Sequence, residues 1–213
     1  MNTKAHLFSQ KNKSNRLWLV FFIMLVLLLI GWYLSLRLGA VNYSHDQLLA
    51  TLKHPFQDSN TQDVIIDLRL PRILAASLVG AAMAQAGAIM QGVTRNPIAD
   101  PGLLGINAGA GLALILAYAF FGSLHYSLIL LVCLIGSTLA AVLIFGLSYQ
   151  PRKGYHQLRL ILAGAMIATL FSALGQAVTL YFDLSTTVIG WQAGGLAQLN
   201  WNMLAVIAPI ILI

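Results

Sequence analysis

Charged residues are scarce in this sequence, and their scarcity excludes most classes of soluble protein. Asp, Glu, Lys and Arg make up 8% of the 213 residues, whereas hydrophobic residues make up 59%, and the mean hydropathy is +0.81. A soluble domain carries about 25% charged residues. The composition therefore indicates a membrane protein.

The sequence also lacks the residues that several membrane functions need. Its one cysteine, Cys133, lies in the middle of an apolar run, which excludes a disulfide framework or a thiolate metal site within the chain. No G-x-x-x-x-G-K-[ST] phosphate-binding loop occurs, so this chain does not hydrolyse ATP itself. The histidines lie in loops or at the ends of apolar runs, which argues against paired haem ligands inside a bundle. We expect neither a metal site nor a cofactor.

Apolar runs long enough to cross a bilayer recur along the chain. A hydrocarbon core of about 30 Å requires roughly 20 apolar helical residues, whereas a barrel strand would alternate in polarity over about ten residues. We therefore predict an all-α, polytopic bundle of transmembrane helices, with a tail at residues 1–16 and a transmembrane domain at residues 17–213. The first run is too long for the core of a cleaved signal peptide. The predicted complete spans are 17–36, 71–91, 103–121, 126–148 and 158–182, and a sixth starts near Met203.

The positions of Lys and Arg predict a cytoplasmic N-terminus. Basic residues near helix ends are retained on the cytoplasmic side, and with the N-terminus inside, eight of the twelve lie inside and four outside. The net charge of +6 thus indicates membrane orientation, and nucleic-acid binding is a poor alternative because the basic residues are split among short loops. The inner residues are Lys4, Lys11, Lys13, Arg16, Arg95, Arg152, Lys153 and Arg159, and the outer residues are Arg37, Lys53, Arg69 and Arg72.

Small residues repeat every four positions along three of the predicted spans. Helices in lipid have no hydrophobic drive to associate, and they pack where small residues let their backbones approach closely. Each stripe therefore predicts a helix–helix seam. The stripes are Ala76, Gly80, Ala84, Ala88 and Gly92 in the second span, Gly105, Gly109, Ala113 and Ala117 in the third, and Gly164, Ala168 and Ser172 in the fifth.

Uncharged polar residues, and no charged ones, occupy the interiors of the spans. Ion-coupled carriers commonly place ionisable residues at the midplane, so their absence argues against a secondary carrier. A buried amide needs a hydrogen-bond partner or water, so an interhelical hydrogen bond and a role in a solute path are equal alternatives for each polar group. The fifth span carries the most such groups and is the first candidate for a path. The candidate path residues are Gln85, Ser172 and Gln176.

The segment after the second span, Q-G-V-T-R-N-P-I-A-D-P-G-L-L-G-I-N-A-G-A at 91–110, predicts a rigid inner turn. Its two prolines lack a backbone donor and fix φ, while an Asn and an Asp before them can cap a helix or form Asx turns. The chain is expected to stop, turn and restart as a helix here. The residues of this structural turn are Asn96, Pro97, Asp100, Pro101, Gly102 and Gly105.

Together with R-L-P-R-I-L-A-A-S-L-V-G-A-A-M-A-Q-A-G at 69–87, this turn resembles the FecCD-type permease subunits of ATP-binding-cassette importers for iron-siderophores, haem and vitamin B12. The resemblance extends through L-I-L-A-G at 160–164 and W-Q-A-G-G-L-A-Q-L-N-W at 191–201. It implies about ten spans in the bacterial inner membrane, so this chain corresponds to the first half and is expected to be truncated relative to the family. The implied partners are an ATP-binding subunit, a second permease copy or a homologous permease, and a periplasmic binding protein.

The resemblance also implies roles for particular residues. Arg69 and Arg72 match the family's outer arginines, which pair with acidic residues of the binding protein, although interfacial snorkelling is an alternative. The inner turn before the fifth span matches the family's cytoplasmic gate; it holds His156, Gln157 and Leu158, where the family prefers small hydroxyl residues. The fifth span, with Ser172 and Gln176, matches the helix that lines the path.

The function that the resemblance implies is passage of a solute without chemistry on it. The chain would be a non-enzymatic permease subunit that moves chelated iron, haem or a corrinoid by alternating access. A truncated, inactive permease and, less favoured, a secondary transporter or channel stay open as alternatives. The identity of the solute and the choice between a homodimer and a heterodimer are also open.

Overall fold

The computed structural model describes residues 3–53, 60–97, 99–151, 154–155, 157–196 and 199–212. The described chain is mostly helical, and it divides into two compact units, Met1–Leu74 and Ala75–Ile213. The division falls within one helix, α4, which spans Leu70–Thr94.

The first unit consists of helices and the loops between them. Helix α1 begins well before the predicted first span and continues without a break through it, whereas the remaining elements are short. The elements are α1 at Thr3–Arg37, α2 at His45–Lys53, α3 at Asn60–Gln62, a π-helical segment at Asp63–Arg69 and the first turn of α4.

Helix α2 starts where its sequence provides a capping box. The backbone N–H of Gln47 donates to the Ser44 hydroxyl at 3.2 Å, and the backbone N–H of Ser44 donates to the Gln47 side-chain oxygen at 2.9 Å. The S-x-x-Q spacing thus satisfies two backbone donors that the first helical turn leaves unpaired. The cap fixes where α2 begins, and Leu48 on its buried face joins the core of the unit.

The core of the first unit joins the end of α1 to the π-helical segment. Leu36, Tyr43, Leu48 and Ile65 are buried together, and Ile65 is fully enclosed. The wider turn of the π-helical segment ends where the backbone N–H of Leu70 donates to the carbonyl of Ile65, five residues earlier. Helix α4 continues from that point, so the described backbone is helical from Asn60 to Thr94.

The second unit contains the packed part of the bundle. After α4 the chain forms a 3₁₀ turn, two helices, a two-stranded hairpin in which Tyr149 lies opposite Tyr155, and three further helices. The elements are the 3₁₀ turn Pro101–Leu104, α5 at Ile106–Phe121, α6 at Tyr126–Ser148, β1 at Tyr149–Gln150, β2 at Gly154–Tyr155, α7 at Gln157–Tyr181, α8 at Ser185–Gly194 and α9 at Trp201–Leu212.

The core of the second unit lies where α5, α6 and α7 meet. Leu104, Ala140, Ile144 and Leu160 are buried there, and Phe171 packs against them. Small residues allow the close approach: a Cβ atom added to Gly109 of α5 would lie 2.5 Å from the carbonyl oxygen of Gly136 in α6. Without a hydrophobic drive in lipid, such backbone contact is what holds neighbouring helices together.

The predicted seams differ in outcome. The third-span and fifth-span stripes meet, because a Cβ atom on Gly105 would lie 2.6 Å from the Gly164 carbonyl oxygen and 3.1 Å from the Ala168 methyl. The second-span stripe is different: among the described residues nothing lies within 4 Å of a Cβ built on Gly80 or Gly92. The seam that the third span makes with α6 was not predicted from the α6 sequence.

The predicted spans correspond to helices of unequal length. Within the described residues, four helices have the length and apolarity to cross a membrane: Asn15–Arg37, Asn60–Thr94, Tyr126–Ser148 and Leu158–Tyr181. The predicted third and sixth spans are the shorter apolar helices Ile106–Phe121 and Trp201–Leu212. The count of five complete spans, the cytoplasmic N-terminus and the domain bounds stay predictions.

Candidate functional site

A pocket of about 500 Å³ lies between α5, α7 and α8 in the second unit. Its volume falls within the range of about 300–1,000 Å³ that small-molecule sites occupy. Its walls are mostly aliphatic, with Leu112 and Ile115 of α5 facing Leu180 of α7 and Val188 of α8. Uncharged polar side chains complete the lining: Asn107, Ser172, Gln176, Thr179 and Ser185.

Glycines make room for the pocket along α5 and α7. Gly111 lines it with open space around its Cα, because nothing in the described structure lies within 4 Å of an added Cβ. Gly175 faces α5 more closely, since a Cβ there would lie 2.9 Å from the Ile115 Cδ1 atom. The pocket is therefore bounded by the same α5–α7 contact that holds the bundle together.

Helix α8 closes one side of the pocket, and the turn before it is tight. Asp183 has φ of +53°, a left-handed conformation that Asp tolerates better than most residues, and the backbone N–H of Leu184 donates to the Thr179 carbonyl at 2.9 Å. Two aromatic pairs join the end of α5 to α8 and to the residue that follows α7. They are Tyr118 with Trp191, 6.4 Å between ring centroids, and Phe120 with Phe182, 5.8 Å.

One polar group of the pocket lacks a partner. The Thr179 hydroxyl oxygen is buried, and no hydrogen-bonding group of the described residues reaches it. A buried hydroxyl without a partner destabilises a fold by roughly 1–3 kcal/mol.

The structure brings two of the three predicted path residues together. Ser172 and Gln176, one turn apart on α7, both line the pocket. Gln85 lies in α4 with an exposed side chain and is not among the lining residues. Asn107 and Ser185 were not selected from the sequence as path residues. Their only signal in the sequence is an isolated amide and an isolated hydroxyl, each close to a helix end.

The predicted inner turn is ordered by local contacts. The Asp100 carboxylate accepts a hydrogen bond from the Gly102 backbone N–H at 2.7 Å, with Pro101 between them in the first 3₁₀ turn. The backbone carbonyl of Asn96 accepts a hydrogen bond from the Ala99 backbone N–H at 3.2 Å, and Pro97 lies in the turn between them. Gly105 has φ of +69°. Gly105 thus occupies a conformation that suits glycine, where α5 begins.

The two predicted docking arginines lie three residues apart in the first unit and have different surroundings. Arg69 ends the π-helical segment and donates hydrogen bonds to the backbone carbonyls of Leu36, in the last turn of α1, and Leu38, which follows that helix. Arg72 lies in the first turn of α4 and is half-buried. Of the predicted gate, Leu158 is an exposed residue of α7, Gln157 begins that helix, and His156 lies outside the described residues.

A bundle of apolar helices around a pocket with uncharged polar groups is compatible with a membrane permease. The FecCD transport family model matches residues 27–213, and the chain belongs to this family. Together with the apolar helices, this membership indicates a multi-pass membrane protein.

Relatives in the family are permease proteins of iron uptake. The chain is 36% identical over 178 residues to the iron(3+)-hydroxamate import system permease protein FhuB of Bacillus subtilis, covering 84% of this chain and 46% of that protein. It is 36% identical over 191 residues to the ferric enterobactin transport system permease protein FepD of Escherichia coli, covering 89% and 57%. The chain spans about half the length of the curated relatives it matches.

A solved structure shares the fold. An inward-facing conformation of a metal-chelate type ABC transporter superposes with a TM-score of 0.70 and 29% sequence identity. The match covers 91% of this chain and 58% of the other.

Proposed function

We propose that this chain is the transmembrane permease subunit, or the first half of one, of an ATP-driven importer of a chelated-iron, haem or corrinoid solute. The family match over residues 27–213 is the observation that carries the proposal. The relatives named for ferric hydroxamate and ferric enterobactin favour iron chelates within that range. The protein does no chemistry on the solute.

The solute path runs through the pocket between α5, α7 and α8. Hydroxyl and amide groups on aliphatic walls suit a large chelate that must be bound weakly and released, because they offer hydrogen bonds without a strong charge. Ser172, Gln176 and Thr179 lie on successive turns of α7 and supply this lining from one helix. Gln85 would belong to the path only where another subunit completes it.

The remaining parts of the machine are separate chains. ATP hydrolysis takes place on an ATP-binding subunit, a second permease copy or a homologous permease completes the path, and a periplasmic binding protein delivers the solute to a surface that includes Arg69 and Arg72. The N-terminus is in the cytosol, and the turn at His156, Gln157 and Leu158 forms the cytoplasmic gate. Alternating access follows, since ATP binding inside and docking outside favour opposite openings of the bundle.

The direct test is reconstituted transport. The full product of the gene is placed in proteoliposomes with its ATP-binding subunit and binding protein, and uptake of labelled ferric hydroxamate, ferric catecholate, haem and corrinoid is measured in parallel. We expect uptake of one solute class that requires both ATP and the binding protein. A hydrolysis-deficient ATP-binding subunit is the control. Uptake driven by a proton or sodium gradient without the ATP-binding subunit would contradict the proposal.

A further inference from the structure

Helix α2 keeps a strip of apolar surface that its own unit leaves uncovered. Leu48 and Thr51 are buried, whereas Leu49 and Leu52 are 41% and 45% exposed. Residues three apart share a face of a helix, so Leu49 and Leu52 form one strip, and at 3.6 residues per turn this strip adjoins the buried face. We refer to these two residues as the leucine strip.

The side of α2 away from the leucine strip is suited to water. Gln47 and Ala50 lie on that side, and both are exposed. Asp46 and Lys53 are exposed at the borders between the two sides, and a lysine in such a place extends its ammonium group to the headgroups while its stem stays on apolar surface. A helix with one apolar and one polar side lies along the surface of a membrane.

Contacts with α1 place the start of α2 at the level where hydrocarbon meets headgroups. A hydrogen bond of 3.2 Å joins the Tyr33 hydroxyl to His45 Nδ1, and Arg37 Nη1 donates to the same hydroxyl at 3.4 Å. Tyr33 follows Trp32 near the end of the apolar run of α1, and Trp and Tyr are enriched at this level of membrane-spanning helices. The first residue of α2 therefore lies at the membrane interface.

The loop between α1 and α2, residues 38–44, is suited to the same level because three of its carbonyl groups are bonded to arginines. Arg69 donates to the Leu38 carbonyl at 3.3 Å and to the Val41 carbonyl, and Arg37 Nε donates to the Tyr43 carbonyl at 3.2 Å. Irregular backbone is tolerated beside lipid only where its polar groups are satisfied. The side chains of Leu38 and Val41 are exposed. Exposed apolar side chains thus continue along the chain from the end of α1 to the leucine strip.

We propose that α2 is an interfacial helix whose leucine strip inserts among lipid acyl chains at the edge of the hydrocarbon layer. Lipid is the occupant because the strip begins at the level of Tyr33 and continues the exposed apolar surface of α1, a helix with the length and apolarity to cross a membrane. This contact fixes the height of residues 38–53 relative to the bilayer. It is independent of the solute and of ATP, so it goes beyond the proposed function.

The test measures collisions of a spin label with two reagents, using the full product of the gene in nanodiscs of phosphatidylethanolamine and phosphatidylglycerol. Cys133→Ala removes the one cysteine of this chain, as is done for any other in the full product, and single labels are placed at Leu49→Cys, Leu52→Cys and Ala50→Cys. Oxygen concentrates in hydrocarbon, whereas a nickel chelate stays in water. We expect oxygen collisions to exceed nickel collisions at the leucine strip, and the reverse at Ala50, the matched control on the polar side.

Either of two other results would overturn the proposal. Frequent nickel collisions at Leu49→Cys and Leu52→Cys would show that the strip faces water and is free for a soluble partner. Rare collisions with both reagents would show that protein covers the strip, either a further segment of the full product or another subunit.

A second measurement examines whether the strip sets the depth of the neighbouring loop. A label at Val41→Cys is expected to gain nickel collisions and lose oxygen collisions when Leu49→Gln and Leu52→Gln are combined, because α2 then leaves the hydrocarbon edge. Asp46→Gln combined with Lys53→Gln is the control, since it changes two exposed residues of α2 without altering the net charge, and it is expected to leave the label unchanged. An equal response of the label to both double variants, or to neither, would contradict the role of the strip.

Discussion

Gly109 of α5 and Gly136 of α6 lie so close together that a Cβ atom added to either would stand 2.5 Å from the carbonyl oxygen of the other. The relationship is reciprocal, so neither helix can accommodate a methyl group by a side-chain movement alone. The two backbones would have to separate.

The first prediction concerns this crossing of α5 and α6. Gly109→Ala and Gly136→Ala are expected to lower the free energy of unfolding by about 1–3 kcal/mol, the usual penalty of overpacking. Gly111→Ala and Gly146→Ala are controls on the same two helices, where an added Cβ meets nothing described within 4 Å. Thermal unfolding in detergent measures all four. Equal melting temperatures for the crossing and control variants would contradict the close contact.

The second prediction concerns Gly105, where backbone strain and lack of space add. Gly105 has φ of +69° and ψ of 8°, so an alanine there is strained by roughly 1–2 kcal/mol. Its added Cβ would also lie 2.6 Å from the Gly164 carbonyl oxygen, and overpacking adds about 1–3 kcal/mol. Gly105→Ala is therefore expected to lower the unfolding free energy by more than about 2 kcal/mol in the same unfolding measurement. A loss no larger than the strain alone would contradict the close contact with Gly164.

The third prediction concerns the proposed path. Ser172→Trp fills part of the pocket and is expected to reduce solute uptake by about tenfold, equivalent to roughly 1.4 kcal/mol in the barrier. Thr169→Trp is the matched control on α7, because Thr169 is exposed, does not line the pocket, and donates its hydroxyl to the Ala165 carbonyl at 2.8 Å. Uptake and ATP hydrolysis are measured in the same vesicles. Equal loss of uptake in both variants would remove the pocket from the path.

The fourth prediction concerns the buried hydroxyl of Thr179. Thr179→Val keeps the shape of the side chain and removes a buried group that has no partner among the described residues. We expect the unfolding free energy to stay level or to rise by about 1 kcal/mol, while solute uptake falls. A marked loss of stability would show that the hydroxyl is bonded in the native protein, and unchanged uptake would show that the solute does not use it.

The fifth prediction concerns sidedness. With the N-terminus in the cytosol, an alkaline phosphatase reporter fused after Asn60 is expected to be active, and one fused after Gln150 inactive. Green fluorescent protein fused at the same two positions serves as the reciprocal control, since it fluoresces when it stays in the cytosol. An inactive phosphatase together with a fluorescent fusion at Asn60 would reverse the orientation.

Helices with uniform apolar sequence were predicted closely. The predicted spans 126–148 and 158–182 agree closely with the observed helices Tyr126–Ser148 and Gln157–Tyr181. Such segments are predictable because their length and apolarity alone define them. The predicted start at residue 71 agrees with the start of α4 at Leu70, but the helical backbone before α4, from Asn60, was not predicted. Polar residues such as Asp63 and Asp67 concealed this extension, since hydropathy does not distinguish a polar helix from a loop.

Contacts between residues distant in sequence could not be predicted from local pattern. Ser172 and Gln176 were chosen as polar groups on an apolar helix, but Asn107 and Ser185 join them only because α5 and α8 fold back onto α7. Arg69 reaches carbonyls 28 to 33 residues earlier in the chain. The R-L-P-R sequence does not distinguish the two arginines, whereas in the structure Arg69 donates to carbonyls at and after the end of α1 and the Arg72 Nε has no partner among the described residues.

Helix α5 has 16 residues, which at 1.5 Å per residue is about 24 Å, less than the roughly 30 Å of a hydrocarbon layer. The backbone just before it is a 3₁₀ turn that ends at Leu104, and at Gly105 it lies beside Gly164 and Ala168, about two to three turns beyond the start of α7. Irregular main chain at such depth is tolerated only when protein covers it, and Leu104 and Gly105 are buried. A thicker bilayer, with longer acyl chains, would therefore separate α5 from α7 at Gly105 before it changed the longer helices α6 and α7.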